Sequence, residues 1–131
     1  MKKLLLILIC LFVSSEVKSE SDDLSEKKLL CQTIPKLFNG YEFVSEEEVI
    51  LHNYWLGDKK VFEQTGKYTT NISEIILNFS GTEIVIDRQK LTMYSNFKSL
   101  GLCRIFEGNF ESYFKNLNEK NLRELKSKQK I

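Results

Sequence analysis

The sequence predicts a mainly β domain: an antiparallel meander or small barrel-like curled sheet, followed by a C-terminal α-helix. Three observations predict it. Between Leu29 and Phe106, short runs of branched and aromatic residues recur with a turn signal about every 8–12 residues. After Gly108 the apolar period changes from two to that of a helix. Two cysteines, Cys31 and Cys103, fall in the first and last of the strand-like runs.

The elements follow in order. Leu29–Ile34 reads as a first strand, with a helical turn as its rival, and Pro35 stops any helix from running on. Asn39-Gly40 has the composition of a turn. Tyr41–Val44 alternates briefly, and Val49–Leu56 has the branched and aromatic content of a half-buried strand. Leu56-Gly57-Asp58-Lys59 reads as a turn. Lys60–Gln64 and Lys67–Asn71 then read as two strands around a Thr65-Gly66 turn. Glu74–Phe79, a Ser80-Gly81 turn and Thr82–Asp87 form a hairpin with Ile84 and Ile86 on one face. Asp87–Lys90 is a bend before Leu91–Tyr94, and Leu100–Phe106 carries Cys103. Asn109 is a candidate N-cap for a helix running to about Lys126. Phe110, Tyr113, Phe114, Leu117 and Leu125 recur at helical spacing, and Glu111–Lys115 and Glu119–Arg123 are favourable i,i+4 pairs. The expected consequence is a helix packed on the sheet, with an exposed basic tail beyond Leu125.

The first residues have a different logic. Met1-Lys2-Lys3 is a basic start, Leu4–Val13 an unbroken apolar run, and Ser14-Ser15 a small polar exit. This is the layout of a cleavable secretory signal over residues 1–19, with cleavage after Ser19 or Ser15. As a helix the apolar run would span only about 15 Å, half of a bilayer's hydrocarbon layer, which argues against a permanent span. Cys10 raises the alternative of a lipid anchor, but Ile9 stands where a lipobox needs a small residue. The organisation expected is therefore a signal over 1–19, a β-rich domain over 20–108 with a loose polar start to Glu26, and a helix with a basic tail over 109–131. Export places the chain in a periplasmic or extracellular compartment, where a lone cysteine pair joins. The alternative for Cys31 and Cys103 is two buried thiols. The bridge would be worth roughly 4 kcal/mol by loop entropy. It would also tie the ends of the sheet and help curl it.

Charge excludes one class of partner. The chain carries 19 basic and 18 acidic residues. Losing Lys2, Lys3, Lys18 and Glu16 with the signal leaves a slight acidic excess, and no long-range pull on nucleic acid. The charge is uneven, with an acidic Glu46-Glu47-Glu48 cluster and a predominance of lysine and arginine from Lys115 onward.

Signals for chemistry are sparse. The sequence has no C-x-x-C, no G-x-S-x-G elbow and no phosphate-binding glycine loop. His52, the one histidine, does not make a histidine-rich metal site, and reads either as a strand residue or as a proton carrier. Glu46-Glu47-Glu48 lacks the alternating ligands and glycine of a calcium loop and reads as a solvated turn. Tyr54, Trp55 and Tyr68 are the candidate binding surface, able to stack on a sugar or peptide; the competing reading is core or cross-strand packing. The basic helix end reads either as dipole compensation or as a contact for an anionic membrane. Asn71-Ile72-Ser73 and Asn78-Phe79-Ser80 are glycosylation sequons, relevant in a eukaryotic host. No cofactor, metal or catalytic residue is indicated.

Glu74-Ile75-Ile76, Ile84 to Leu91 with its I-D-R-x-x-L hairpin, and Gly101-Leu102-Cys103 together resemble a pattern in short exported bacterial proteins of unknown function. Those proteins pair an early cysteine with a late G-x-C. The resemblance covers about residues 29–105 and implies a periplasmic β-rich domain. In size and in end-to-end cysteine pairing the chain is also similar to the lysozyme-inhibitor family of small periplasmic β-barrels, without that family's glycine-containing inhibitory loop motifs. The expected function is a non-catalytic binding or envelope-interaction module for a protein, peptide or small ligand; the alternative is a small periplasmic enzyme inhibitor.

Overall fold

The computed structural model describes residues 24–57, 60–96 and 98–129. The export signal expected over 1–19 lies outside them. Eight antiparallel strands follow one another in sequence and close into a barrel. They are β1 (Lys28–Ile34), β2 (Leu37–Phe43), β3 (Glu48–Trp55), β4 (Phe62–Thr70), β5 (Glu74–Phe79), β6 (Thr82–Asp87), β7 (Thr92–Ser95) and β8 (Lys98–Ile105). Among the described residues one helix, α1 (Phe110–Lys128), follows.

Closure is made by β1 and β8. Leu30 lies opposite Arg104, Cys31 opposite Cys103 and Gln32 opposite Leu102. The facing cysteines form the disulfide, with Cα atoms 3.9 Å apart, closer than the 4.4 Å lower bound common for bridges. A closed sheet has no unpaired edge, so the strand-pairing hazard of an open meander is removed.

Side chains alternate across the barrel wall. Leu29, Cys31, Tyr41, Phe43, Val49, Tyr68, Ile75, Leu77, Phe79, Ile86 and Met93 point inward and form the core, with Leu24 joining them. The loose start expected to reach Glu26 is thus shorter: Leu24 is buried, and the Glu26 N–H donates to the Phe43 carbonyl. In β8 a register shift makes Leu100 an extra residue, which lets both Leu100 and Cys103 pack inside although three positions separate them.

One polar chain runs through the core. Asn53 Nδ2 donates to Asn39 Oδ1 at 2.6 Å, Asn39 Nδ2 donates to Tyr41 Oη at 3.4 Å, and the Tyr41 hydroxyl donates to Met93 Sδ at 3.2 Å. Burial pushes the Tyr41 phenol well above its ordinary range, against a smaller opposing effect of Asn39. The hydroxyl therefore stays protonated.

Two glycines correct the strand assignment. Asn39-Gly40 is not a turn but the middle of β2; the turn is Pro35-Lys36. Thr65-Gly66 is likewise inside β4, a single strand where two were expected. Both glycines lie beneath aromatic rings. A Cβ on Gly66 would come within 2.4 Å of Phe79, inside the barrel, and one on Gly40 within 2.7 Å of Phe110, outside it.

The helix begins as expected. Asn109 Oδ1 caps it by accepting from Ser112 N at 3.0 Å. Gly108, at φ +114°, turns the chain from the sheet into α1. Phe110 and Phe114 are buried against Leu30, Phe38 and Tyr54 on the outer wall, with Tyr113 and Leu117 packed beside them. The described residues therefore form two apolar clusters, one within the barrel and one between wall and helix.

Candidate functional site

The helix does not lie flush on the wall. Between α1 and strands β2–β4 runs a groove of about 740 Å³, within the size range of small-ligand sites. Phe62 is exposed on its rim, Tyr54, Phe110 and Phe114 border it while buried in the contact between helix and wall, and Lys28, Lys60, Lys115, Glu63 and Glu119 are among its charged groups.

His52 sits in this groove. It is outward-facing on β3, directly opposite Gly40 on β2 and Glu63 on β4. Its ring lies 5.1 Å from that of Phe110. Nε2 is 3.1 Å from Glu42 Oε2 and Nδ1 is 3.5 Å from Glu63 Oε1. The origin is the strand register: Glu42 is diagonal to His52 across β2 and Glu63 directly across β4, a cross-strand triad on one face. The contact with Glu42 is a hydrogen bond, and that with Glu63 is a longer approach within ion-pair range. With both nitrogens directed at carboxylates, neither is aimed at a nucleophile. The two carboxylates also approach opposite edges of the ring, so the three groups do not converge on one point. Among the described residues no cluster of three or more His, Cys, Asp or Glu is arranged to hold a metal ion.

Next to the groove's mouth, Lys28 Nζ donates to the Gly108 carbonyl at 2.5 Å and lies 6.0 Å from the Phe110 ring. Along the helix, Tyr54 stacks on Phe114 with ring centroids 4.8 Å apart and planes within 11°. These contacts hold the helix at a fixed height over the strands, and they define the groove's depth.

The surface expected from Tyr54, Trp55 and Tyr68 is not assembled. Tyr54 is 2% exposed, on the outer wall beneath α1. Tyr68 is 4% exposed and inside the barrel, edge-on to Phe43 at 4.8 Å, with its hydroxyl donating to the Ser45 carbonyl. Trp55 is 44% exposed at the last position of β3. Strand alternation separates Tyr54 from Trp55, and Tyr68 faces the core. Only Tyr54 lines the groove. One signal pointed to the rest: Glu42, His52 and Glu63 sit on three consecutive strands of the meander.

A second, more apolar groove of about 490 Å³ runs along β1 and β8, bordered by Phe38, Leu102, Cys103 and Arg104. It lacks the several convergent polar groups of the first. Among the described residues no helix is long and apolar enough to cross a membrane.

Fold and site together define a closed, disulfide-joined antiparallel barrel buttressed by one outer helix, with a mixed-charge groove between them. Comparison of the chain with protein-family models, with curated proteins and with solved structures finds no match.

Proposed function

We propose that this chain is an exported, non-catalytic binding module that takes a short peptide or small polar ligand in the groove between α1 and strands β2–β4. The observation that carries the reading is the His52 arrangement: a histidine flanked by Glu42 and Glu63 at 3.1 and 3.5 Å, lining the groove between α1 and the barrel wall. The two carboxylates offer acceptors, while Lys28, Lys60 and Lys115 offer donors. That pairing suits a ligand with charges of both signs. The barrel interior does not compete for the ligand, because Tyr41, Phe43, Leu77, Ile86 and Met93 fill it. Export rests on the basic–apolar–small pattern of residues 1–19 and is supported by the Cys31–Cys103 bridge. The resemblance of Ile84–Leu91 and Gly101-Leu102-Cys103 to short exported bacterial proteins that pair an early cysteine with a late G-x-C agrees with export.

A second reading, a small enzyme inhibitor, is favoured by the end-to-end cysteine pairing on a closed barrel. Immobilised protein challenged with envelope extract separates the two. A partner retained by the parent and lost from both Glu63→Lys and Lys115→Glu supports the groove. Equal retention on all three removes the groove from the function. If the captured partner is an enzyme and loses activity on binding, the inhibitor reading stands. The single histidine gives a direct readout, since a ligand in the groove shifts the His52 imidazole resonances.

A further inference from the structure

We propose that one end of this molecule, the end carrying the β1–β2 and β3–β4 turns and the last turns of α1, docks peripherally on an anionic lipid surface.

The argument begins with the direction of the helix. Phe110 lies over Gly40, next to His52. One turn later Phe114 packs on Phe38 and Tyr54. Leu117 then joins the cluster that contains Leu56 and Val61. These partners climb step by step toward the β1–β2 and β3–β4 turns. The helix has 19 residues, and its apolar stripe continues past the last wall contact. Leu122 and Leu125 remain half-exposed, on a part of α1 with no buried residue after Phe114. Helical spacing places Lys126 and Lys128 on either side of this leucine pair.

The same end of the barrel presents Ile34, Trp55 and Phe62 as exposed apolar side chains. Lys36, Lys60 and Lys98 are exposed at the strand ends around them. The opposite end is different: its turns carry Glu46, Glu47, Glu48 and Asp87. The opposite end also exposes Val44, Ile72 and Ile105, and Arg88 and Lys90 share the bend with Asp87, so the two ends differ in their balance of charge: lysines predominate at one and carboxylates at the other. Charge complementarity selects an anionic surface for the basic end.

The shape of the end selects lipid over a rigid acidic protein. Its exposed apolar groups are spread over the end of α1, the β1–β2 turn and the facing ends of β3 and β4, with Ile34 and Phe62 bordering two different grooves. A rigid partner would need a matching pocket for each. A lipid interface accepts them individually, takes leucines at its acyl boundary and favours tryptophan at the headgroup level, while flanking lysines meet anionic headgroups. The lone tryptophan, Trp55, is therefore placed to report on the contact.

The test is partition of the purified protein between buffer and vesicles, with phosphatidylcholine vesicles compared against phosphatidylcholine–phosphatidylglycerol vesicles. The expected result is at least about tenfold stronger partition to the anionic vesicles, lost in high salt, with Trp55 emission shifted to the blue. Two variants confined to exposed positions, Lys120→Glu/Lys126→Glu/Lys128→Glu and Leu122→Ser/Leu125→Ser, should each lose about tenfold while melting like the parent. These comparisons between lipids and between variants leave any contribution of the Leu4–Val13 run unchanged. Equal partition to both vesicles, unshifted Trp55 emission, or undiminished binding by both variants overturns the proposal. A concentration-dependent dimer abolished by Leu122→Ser/Leu125→Ser also overturns it, by assigning the surface to a second copy of the chain.

Discussion

Phe110 covers Gly40: the aromatic ring that opens the helix rests on the strand position where a Cβ would approach it to 2.7 Å. Gly40 is flanked by Leu30 on β1 and His52 on β3. This one missing side chain lets α1 sit close enough for Phe114 to reach Tyr54, and so sets the groove. Gly40→Ala should push the helix outward and cost about 1–3 kcal/mol, as overpacking does. Phe110→Ala should cost about 3–5 kcal/mol by leaving a void. Because the two share one contact, the double variant should be less damaging than the two losses added. Strict additivity in denaturant titrations would show that Phe110 does not rest on Gly40.

The Cys31–Cys103 bridge joins directly facing residues of the first and last strands. Its loop is long, with a sequence separation of 72, and the loop-entropy estimate is roughly 4 kcal/mol. Reduction should lower the melting temperature, and Cys31→Ser and Cys103→Ser should each reproduce the loss without adding to one another. Two reactive thiols in the unreduced, denatured protein would refute the bridge.

Hairpins bounded by local turn chemistry were the legible part of the fold. Ser80-Gly81 and Asp87–Lys90 turn the chain where their composition predicts, and Asn109 caps the helix. Closure was legible only through the cysteines, because no local signal tells a strand that its partner lies at the far end of the chain. Gly40 and Gly66 misled for one reason. Local sequence cannot distinguish a glycine needed for backbone freedom from one needed to admit a distant ring, here Phe110 and Phe79. The candidate site was hidden in the same way. Tyr54 and Tyr68 invite a binding role by type, yet tertiary packing consumes both. His52 gains its carboxylates only through the register of β2, β3 and β4.

Asp87 ties the bend between β6 and β7. Its Oδ1 accepts from the backbone N–H groups of Lys90 and Gln89, each at 2.9 Å. These bonds, with a small contribution from the Lys90 charge, hold the carboxyl below the usual aspartate range. A depressed folded-state value means that the stability contribution is present above the unfolded value and lost as pH falls through the folded one. Chemical-shift titration should therefore place the Asp87 midpoint below that of an unfolded aspartate. Asp87→Asn should be less stable than the parent near neutrality, with the gap closing in acid. A gap that stayed constant across the acid range would remove the carboxylate from the account.

Phe114 tests whether the helix belongs to the barrel. It is fully buried although it lies outside the barrel wall, stacked on Tyr54 and tilted against Phe38 at 6.3 Å. Removing it would uncover an aromatic strip of the wall and leave a void that Tyr54 and Phe38, held in strands, are poorly placed to fill. Phe114→Ala should therefore cost about 3–5 kcal/mol. Phe62→Ala, at an exposed position on the groove's rim, should stay within about 0.5 kcal/mol of the parent. Truncation after Gly108 should lower the melting temperature at least as far as Phe114→Ala, because Phe110 and Phe114 are lost together. If the truncated chain melted like the parent, the helix would be an appendage and the groove beneath it would have no fixed form.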